Sequence, residues 1–372
     1  MATPSDLYIG LISGTSADGV DAAVVRFEPG LEILAAATTP YPAALRERLL
    51  ALTAPGASIP LDEYGALDVE VGHCFAESVD ALLEASGCAR SRIAAIGSHG
   101  QTVRHRPQGA CPFSLQIGDG AVIAERTGIL TVADFRRADV AAGGQGAPLA
   151  PALHAAVFGG SAPCAVLNLG GIANLSLIGR GTSLIGFDTG PANALLDAWA
   201  ERHLGTARDE GGIWAAGGTV VPELLNRLLA DPYFALHAPK STGREHFNLA
   251  WLEAHLDGAP LRAADVQATL VILSARTIAD ALRAAMPSAT RVHACGGGVH
   301  NPLLMDAIAA AIAPVPLVTT AESGLDPDFV EAALFAWLAR ERLAGRPGNR
   351  EDVTGARGPR LLGAIHAPPP RG

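Results

Sequence analysis

Two apolar runs, each doubled back on itself through a glycine-rich turn, constrain this chain more than any other feature. The first pairs Leu7-Tyr8-Ile9-Gly10-Leu11-Ile12 with residues 20–27 across Gly14-Thr15-Ser16-Ala17-Asp18-Gly19. The second pairs residues 164–169 with 172–178 across Gly170-Gly171. Each hairpin opens a stretch in which strands and helices alternate, so the fold class is α/β. A third strand, residues 183–187, runs into Asp188-Thr189-Gly190-Pro191. This weak internal repeat predicts two related halves facing one cleft.

Between the hairpins, Leu45, Leu49 and Leu52 fall on one helical face. A longer helix over 62–85 turns Leu67, Val71, Phe75 and Leu82 inward, and a short strand over 92–97 ends at Ser98-His99-Gly100-Gln101. Downstream, Val271, Ala275, Ile278 and Leu282 have helical spacing, and residues 291–294 form a strand before Cys295-Gly296-Gly297-Gly298. A last helix covers 328–343, and the proline-rich tail 367–372 frays. The chain crosses between domains near 132–151, where glycines accumulate. The expected division is 1–136 plus 351–372 for one lobe and 137–350 for the other.

Composition excludes several classes. With 372 residues and 49% hydrophobic content, the chain builds large cores. Its 27 basic and 37 acidic residues give a net charge of −10, which argues against nucleic acid or an anionic membrane as partner. Lys240 is the only lysine, so neither a Walker-A loop nor a protein-kinase strand lysine is present. Its setting, Pro239-Lys240-Ser241-Thr242-Gly243, reads as a loop rather than a Schiff-base site. Cys74, Cys88, Cys111, Cys164 and Cys295 have no metal or redox spacing and are read as reduced thiols. Residues 1–6 lack the basic and apolar regions of a secretory signal, and no apolar run is long enough to span a bilayer. A cytoplasmic protein is expected.

Four segments carry the chemistry. Backbone amides and hydroxyls in the turn Gly14 to Gly19 can hold phosphate oxygens without lysine, and Asp18 or Asp21 can orient Mg²⁺. Gly170 and Gly171 form a second such turn, with Asn174 beyond it. Gly296, Gly297 and Gly298 let a purine or ribose lie flat against backbone, although no Gly-x-Gly-x-x-Gly string exists. Asp188 at a strand end is placed to act as a general base. Thr189 is expected to cap a helix from Ala192, with Pro191 in its first turn, which leaves Asp188 free. Polar residues with no evident structural task are His99, Gln101, Thr102, Arg104, Arg136, Arg137 and Glu331.

Together these strings resemble anhydro-N-acetylmuramic acid kinases. The resemblance rests on Gly10-Leu11-Ile12-Ser13-Gly14-Thr15-Ser16-Ala17-Asp18-Gly19-Val20-Asp21, followed in order by Gly97-Ser98-His99-Gly100-Gln101-Thr102, Ala133-Asp134-Phe135-Arg136-Arg137 and Gly143-Gly144-Gln145-Gly146-Ala147-Pro148. Asn168-Leu169-Gly170-Gly171-Ile172-Ala173-Asn174, Gly186-Phe187-Asp188-Thr189-Gly190-Pro191 and Cys295-Gly296-Gly297-Gly298 complete it. It covers residues 8 to 365. Ala17 stands where a larger apolar residue is usual, and Ala192 where glycine is common.

The resemblance implies two ribonuclease-H-like, actin/hexokinase-type lobes around an ATP cleft. It implies that ATP and water convert 1,6-anhydro-N-acetylmuramic acid to N-acetylmuramic acid 6-phosphate and ADP, in peptidoglycan recycling. Asp188 is then the base. Gly14, Thr15, Ser16, Ala17, Asp18, Gly19, Val20, Asp21, Gly170, Gly171, Asn174, Gly296, Gly297 and Gly298 hold the nucleotide and Mg²⁺. Arg136, with Arg137 beside it, pairs with the lactyl carboxylate. His99, Gln101, Thr102 and Glu331 take the sugar's polar groups. A homodimer is implied as well. Two other readings compete: a plain amino-sugar or hexose kinase on the same fold, and a non-catalytic ATP or sugar sensor.

Overall fold

Why Gly10 and Gly97 are glycine becomes clear from the packing of one helix. A Cβ at Gly10 would lie 1.7 Å from the carbonyl oxygen of Ala332, and one at Gly97 would lie 1.9 Å from that of Phe335. Both glycines sit on adjacent sheet strands, and the helix Val330–Leu343 lies directly on their backbone. The structure, a computed structural model, describes residues 6–370 except 15, 55, 161–162, 180–183, 239, 257 and 259–260. The expectations placed on Thr15, Ser183, Pro239, Arg371 and Gly372, and on residues 1–5, lie outside the described residues.

The strands are β1 (Leu7–Ser13), β2 (Gly19–Arg26), β3 (Glu32–Pro40), β4 (Ile93–Arg106), β5 (Phe113–Ile117), β6 (Thr131–Ala133), β7 (Cys164–Leu169), β8 (Ile172–Ile178), β9 (Leu184–Pro191), β10 (Val292–Cys295), β11 (Leu317–Thr319) and β12 (Ala364–His366). They form two mixed sheets in two compact units, Met1–Leu153 with Ser323–Gly372, and His154–Glu322. The first unit takes in residues 137–153 and 323–350, which the sequence reading gave to the second lobe. The close seat of Val330–Leu343 on β1 and β4 ties the later segment there.

In the first unit the sheet order is β12-β6-β4-β1-β2-β3, with β5 paired to β4. Strand β2 runs antiparallel to β1 and β3, while β1, β4 and β6 are parallel. In the second unit the order is β11-β10-β7-β8-β9, with β8 antiparallel to both neighbours and β7, β10 and β11 parallel. Counted along each unit, both sheets place the first five on-path strands in the order 3-2-1-4-5 with the second reversed. That is the ribonuclease-H-like order, and its occurrence twice gives the actin/hexokinase-type α/β class.

Local sequence explains most elements. The helices Ala43–Thr53 and Leu61–Ser86 bury Leu45, Leu49, Leu52, Leu67, Val71, Phe75 and Leu82 at helical spacing. The helix Ala263–Ala285 buries Val271, Ala275, Ile278 and Leu282 against the second sheet. Two expectations need correction. Strand β4 does not stop at residue 97 but continues to Arg106, because β5 pairs with its second half. Thr189 does not cap a helix. It lies within β9 and donates its hydroxyl to the carbonyl of Ala173 at 3.2 Å. The next helix starts at Asn193 after Ala192, with no side-chain cap.

Candidate active-site residues

In the first unit, β1 ends at Ser13 and the chain turns toward β2. Gln101 holds that turn. It is fully buried, its Oε1 accepts from Ser13 Oγ at 2.6 Å, and its Nε2 donates to the carbonyl of Gly14 at 3.1 Å. Both ends of the amide are thereby committed to the loop. Ala17 is buried with φ of +50°, a left-handed conformation costly for alanine and often found where function demands a tight shape. A Cβ at Gly14 would meet only Ser16 Oγ at 3.9 Å, so packing does not require glycine there. Gly19 faces the opposite case, 2.4 Å from the Thr39 carbonyl oxygen, and Val20 is core.

The two acids of this turn have different partners. Asp18 forms an ion pair with Arg46 at 2.6 Å and is solvent-exposed. Asp21 accepts from Thr38 Oγ1 at 2.6 Å, and burial, with Asp328 and Asp18 nearby, raises its carboxyl above the usual range. No cluster of three His, Cys, Asp or Glu capable of holding a metal occurs among the described residues. Mg²⁺ commonly keeps its waters and takes one or two carboxylates together with phosphate oxygens. Asp21, an acid with only a hydroxyl partner, fits that donor set. Asp18, already neutralised, fits it less well.

Strand β4 carries His99 and Thr102, and Arg136 follows β6. Arg136 Nε donates to His99 Nε2 at 2.9 Å, and its Nη1 donates to the Gly146 carbonyl at 2.7 Å. The other ring nitrogen, Nδ1, lies 3.0 Å from the Gly100 carbonyl. Burial and the Arg136 charge hold the His99 pKa well below its ordinary value. Burial lowers Arg136 to about 10, with Glu331 opposing. Glu331, at the start of the helix Val330–Leu343, keeps solvent contact, yet desolvation raises its carboxyl and Asp21 adds to the rise, while Arg136 pulls it back. Thr102 Oγ1 accepts from Gln116 at 3.0 Å. Arg137 lies on the surface beside Asp134 at 3.5 Å. Arg104 donates to the carbonyls of Leu52 and Ala54.

Behind Arg136 sits a residue that the sequence reading missed. Asp139 is fully buried and accepts from Gly146 N, Asn349 Nδ2 and Thr354 Oγ1, each at 2.7 Å. It ties the Gly143-to-Pro148 loop to the C-terminal segment and holds the N–H of Gly146, the residue whose carbonyl Arg136 uses. The signal available was only an acid within a glycine-rich string.

In the second unit, one row of residues crosses β10, β7, β8 and β9 in register: Cys295, Asn168, Asn174 and Asp188. Partners in register share a face of the sheet. Asn168 was not singled out from sequence. Asp188 is set by its surroundings through both backbone and side chain. Its N–H donates to the Lys240 carbonyl, and its carbonyl accepts from the Tyr233 hydroxyl at 2.7 Å. Its Oδ2 accepts from Ser241 Oγ and Thr242 N, both at 3.0 Å. Oδ1 has no hydrogen-bond partner among the described residues. Burial raises the Asp188 carboxyl, those two donors oppose the rise, and Glu245 adds to it. Lys240 donates to the carbonyls of Tyr233 and Phe234, a structural use of the single lysine.

The glycines of this unit also divide. Gly296 has φ of +81° and would place a Cβ 2.4 Å from Asn168 Oδ1, while Gly298 would press on Leu169 at 2.6 Å. Gly171 stands 3.1 Å from the Arg244 guanidinium by the same measure. Gly170 and Gly297 are different. The nearest atom to a Cβ at Gly170 is 3.5 Å away, and at Gly297 there is none within 4 Å. Space left open at a glycine with no packing reason suits a ligand lying against backbone.

Comparison with known proteins gives the family. A family model described as anhydro-N-acetylmuramic acid kinase matches residues 6–368. A protein of that name from Xanthomonas campestris is 56% identical over 369 residues, covering 98% of both chains. One from Xylella fastidiosa is 52% identical over 98% of this chain and 97% of its own. One from Coxiella burnetii is 48% identical over 98% of both. With the ribonuclease-H-like order present twice, the motif residues gathered on two sheets, a family model over residues 6–368 and identities of 48–56% over 98% of the chain, the chain belongs to the anhydro-N-acetylmuramic acid kinase family.

Proposed function

We propose that this protein uses ATP and water to open 1,6-anhydro-N-acetylmuramic acid and phosphorylate its O6, giving N-acetylmuramic acid 6-phosphate and ADP, within cell-wall recycling. The observation that carries the reading is Asp188, with Oδ2 pinned by Ser241 and Thr242 and Oδ1 open. A fixed carboxylate with a raised pKa is suited to accept a proton from water.

Asp188 takes a proton from the water whose oxygen bonds to C1. The C1–O6 bond breaks and its electron pair goes to O6, as the leaving oxygen departs from an inverting glycosidase's substrate. O6 bonds to the γ-phosphorus as the bond to the ADP oxygen breaks, so no separate acid is required. Asp188 then releases its proton to solvent.

The remaining residues bind and orient. Arg136 pairs with the lactyl carboxylate, and His99 and Glu331 take sugar groups. Thr102, which accepts from Gln116, and Arg137, on the surface beside Asp134, complete the sugar-binding set. Gln101 acts by shaping the Gly14 turn. The open backbone at Gly14, Gly170 and Gly297 receives the nucleotide, with Ser16 beside the first turn and Asn174 beside the second. Asp21 would hold Mg²⁺, which supplies neutralisation of phosphate charge. A cytoplasmic homodimer completes the reading.

The test is turnover of 1,6-anhydro-N-acetylmuramic acid with ATP in ¹⁸O-water, quenched before anomeric exchange. One ¹⁸O at C1 of a phosphorylated product is expected. Turnover of open amino sugars alone would replace this reading with a plain sugar kinase. ATP binding without turnover of any sugar would replace it with a sensor.

A further inference from the structure

Two loop segments of the second unit grip Asp188, and one imidazole joins them. From the first, Tyr233 donates its hydroxyl to the Asp188 carbonyl. From the second, Ser241 Oγ and Thr242 N hold Oδ2. His246 lies between the two. Its Nε2 donates to Asp231 Oδ2 at 3.1 Å, and its Nδ1 lies 3.5 Å from Thr242 Oγ1. Its backbone N–H donates to the Gly243 carbonyl at 3.1 Å and closes the turn that follows Thr242.

Asp231 sets which nitrogen carries the proton. Its side chain is nearly buried, its Oδ1 accepts from Tyr233 N at 2.9 Å, and its Oδ2 also accepts from Trp251 Nε1 at 2.8 Å. Burial pushes this carboxyl up, but the donors Tyr233 N, Trp251 and His246 outweigh it and hold the pKa below its ordinary value. An ionised carboxylate only accepts, so Nε2 carries a proton. In the neutral ring Nδ1 is then the acceptor for the Thr242 hydroxyl. When the ring takes a second proton, Nδ1 donates to the same oxygen, so the contact persists in either state. Stacking fixes the ring plane. The fully buried Phe247 lies parallel to it, with centroids 4.2 Å apart, and Tyr233 meets it edge-on. The other charged or titratable groups around the ring are Lys240 over the Tyr233 ring, His255 packed on Trp251, Arg244 and Glu245 next to it in the chain, and Asp188 beyond Thr242.

We infer that Asp231 and His246 form a positioning pair that orients Thr242 and, through the Thr242 N–H, holds Oδ2 of Asp188 so that Oδ1 faces the reacting water. The inference rests on the reading of Asp188 as the base. His246 touches no reacting atom and acts only through Thr242. Loosening Thr242 does two things to Asp188. It spoils the aim of the carboxylate, and it removes one of the two donors that oppose the rise in its pKa. The signature is slower turnover together with an acid limb of kcat displaced to higher pH.

The test measures kcat and KM from about pH 5 to about pH 9 for the wild type, His246→Ala, Thr242→Val and the double variant. Each single change should lower kcat by about 10-fold, the worth of one hydrogen bond to a charged group. Each should also move the acid limb of kcat up by about one pH unit. KM for ATP and for the sugar should stay. The double variant should lose little more than either single one, because both changes act on Thr242. Thr242→Ser restores the hydroxyl and should recover most of what Thr242→Val loses. If His246→Ala does not fold, Thr242→Val, which keeps the side-chain shape, carries the test. A fall in kcat with the acid limb unmoved, additive losses in the double variant, or a raised KM for either substrate overturns the positioning role. Asp188→Asn separates the two levels. If it keeps its turnover, the base reading falls and this inference with it. If it is inactive while His246→Ala and Thr242→Val match the wild type, this inference alone falls.

Discussion

Arg136 Nε donates to His99 Nε2 at 2.9 Å, and that one bond assigns the histidine. A nitrogen that accepts from a guanidinium carries no proton, so the proton is on Nδ1, which donates to the Gly100 carbonyl. His99 is therefore neutral, in line with its strongly lowered pKa. Arg136 is held by two acceptors, one on His99 and one on Gly146, with its planar group oriented before any substrate arrives. Such preorganisation favours recognition of a carboxylate over a neutral group.

Replacing Arg136 with Ala should raise KM for the anhydro-sugar by about 10- to 100-fold, the worth of a charge-assisted hydrogen bond. Arg136→Lys should recover little, because an ammonium cannot reproduce the fork. KM for ATP should not change. The loss should vanish with a substrate analogue lacking the lactyl acid, and steady-state kinetics on both sugars would show it. An equal loss on the neutral analogue would place Arg136 elsewhere in the chemistry.

Asp139 acts on the same arginine from behind. Asp139→Asn turns an amide N–H toward one of three buried donors, so it should destabilise the protein by on the order of 3 kcal/mol, measured by denaturant unfolding. KM for the sugar should rise in the folded variant. Its effect should be less than additive with Arg136→Ala, since both pass through Gly146.

Two glycines that look alike in sequence should behave oppositely. Gly97→Ala drives a Cβ into the backbone of the helix Val330–Leu343 and should cost about 3 kcal/mol or more, beyond most overpacking substitutions. Gly297→Ala meets no protein atom and should melt like the wild type, yet bind ATP more weakly. Melting temperature and ATP titration on the two variants check both halves. Normal ATP affinity in Gly297→Ala would remove that glycine from the nucleotide site.

Asp188 makes a paired prediction about activity and stability. Its folded-state pKa is raised, so the folded protein binds this proton more tightly than the unfolded chain does. Through this group, stability falls as pH rises from the ordinary carboxylate range past the raised pKa, and the penalty persists above it. Asp188→Asn should therefore melt higher than the wild type at pH 8, with the gap closing in acid. The same change should reduce kcat by about 10³-fold, within the usual range for a general base. In the wild type, kcat should fall as pH drops through the raised pKa. A variant that keeps its turnover would remove the proton-accepting role.

Much of this arrangement is readable along the chain because its causes are local. Strands β7 and β8 begin and end where the apolar runs do, and the helices bury leucines and valines at the expected spacing. Asp188 is recognisable as an acid at the end of an apolar strand, and the α/β class follows from alternation alone. Other features depend on partners far apart in sequence. Gln101 looks like a sugar ligand until it is seen clamping Ser13, 88 residues away. Asp139 draws Asn349 and Thr354 from more than 200 residues downstream. Asp18 and Asp21 are equivalent in the string and are separated by the pairing of Asp18 with Arg46 and the burial of Asp21 beside Thr38.

Register shows the same limit on a smaller scale. A simple two-glycine turn would oppose Asn168 to Ala173, but the pairing opposes it to Asn174, and a bulge after Ala173 brings Asn174 opposite Asp188. A shift of one residue changes which side chains share a face, and no local propensity reports it. By itself, then, the sequence determined the class of fold, the hairpins, the glycine turns and the identity of the acid at the end of β9, because periodicity and turn chemistry act over a few residues. Only the tertiary structure decided which glycines are packed and which are open, which arginine is oriented and which acid keeps one oxygen open. Those properties are set by atoms that folding brings within a few ångströms, from segments that are not neighbours in the chain.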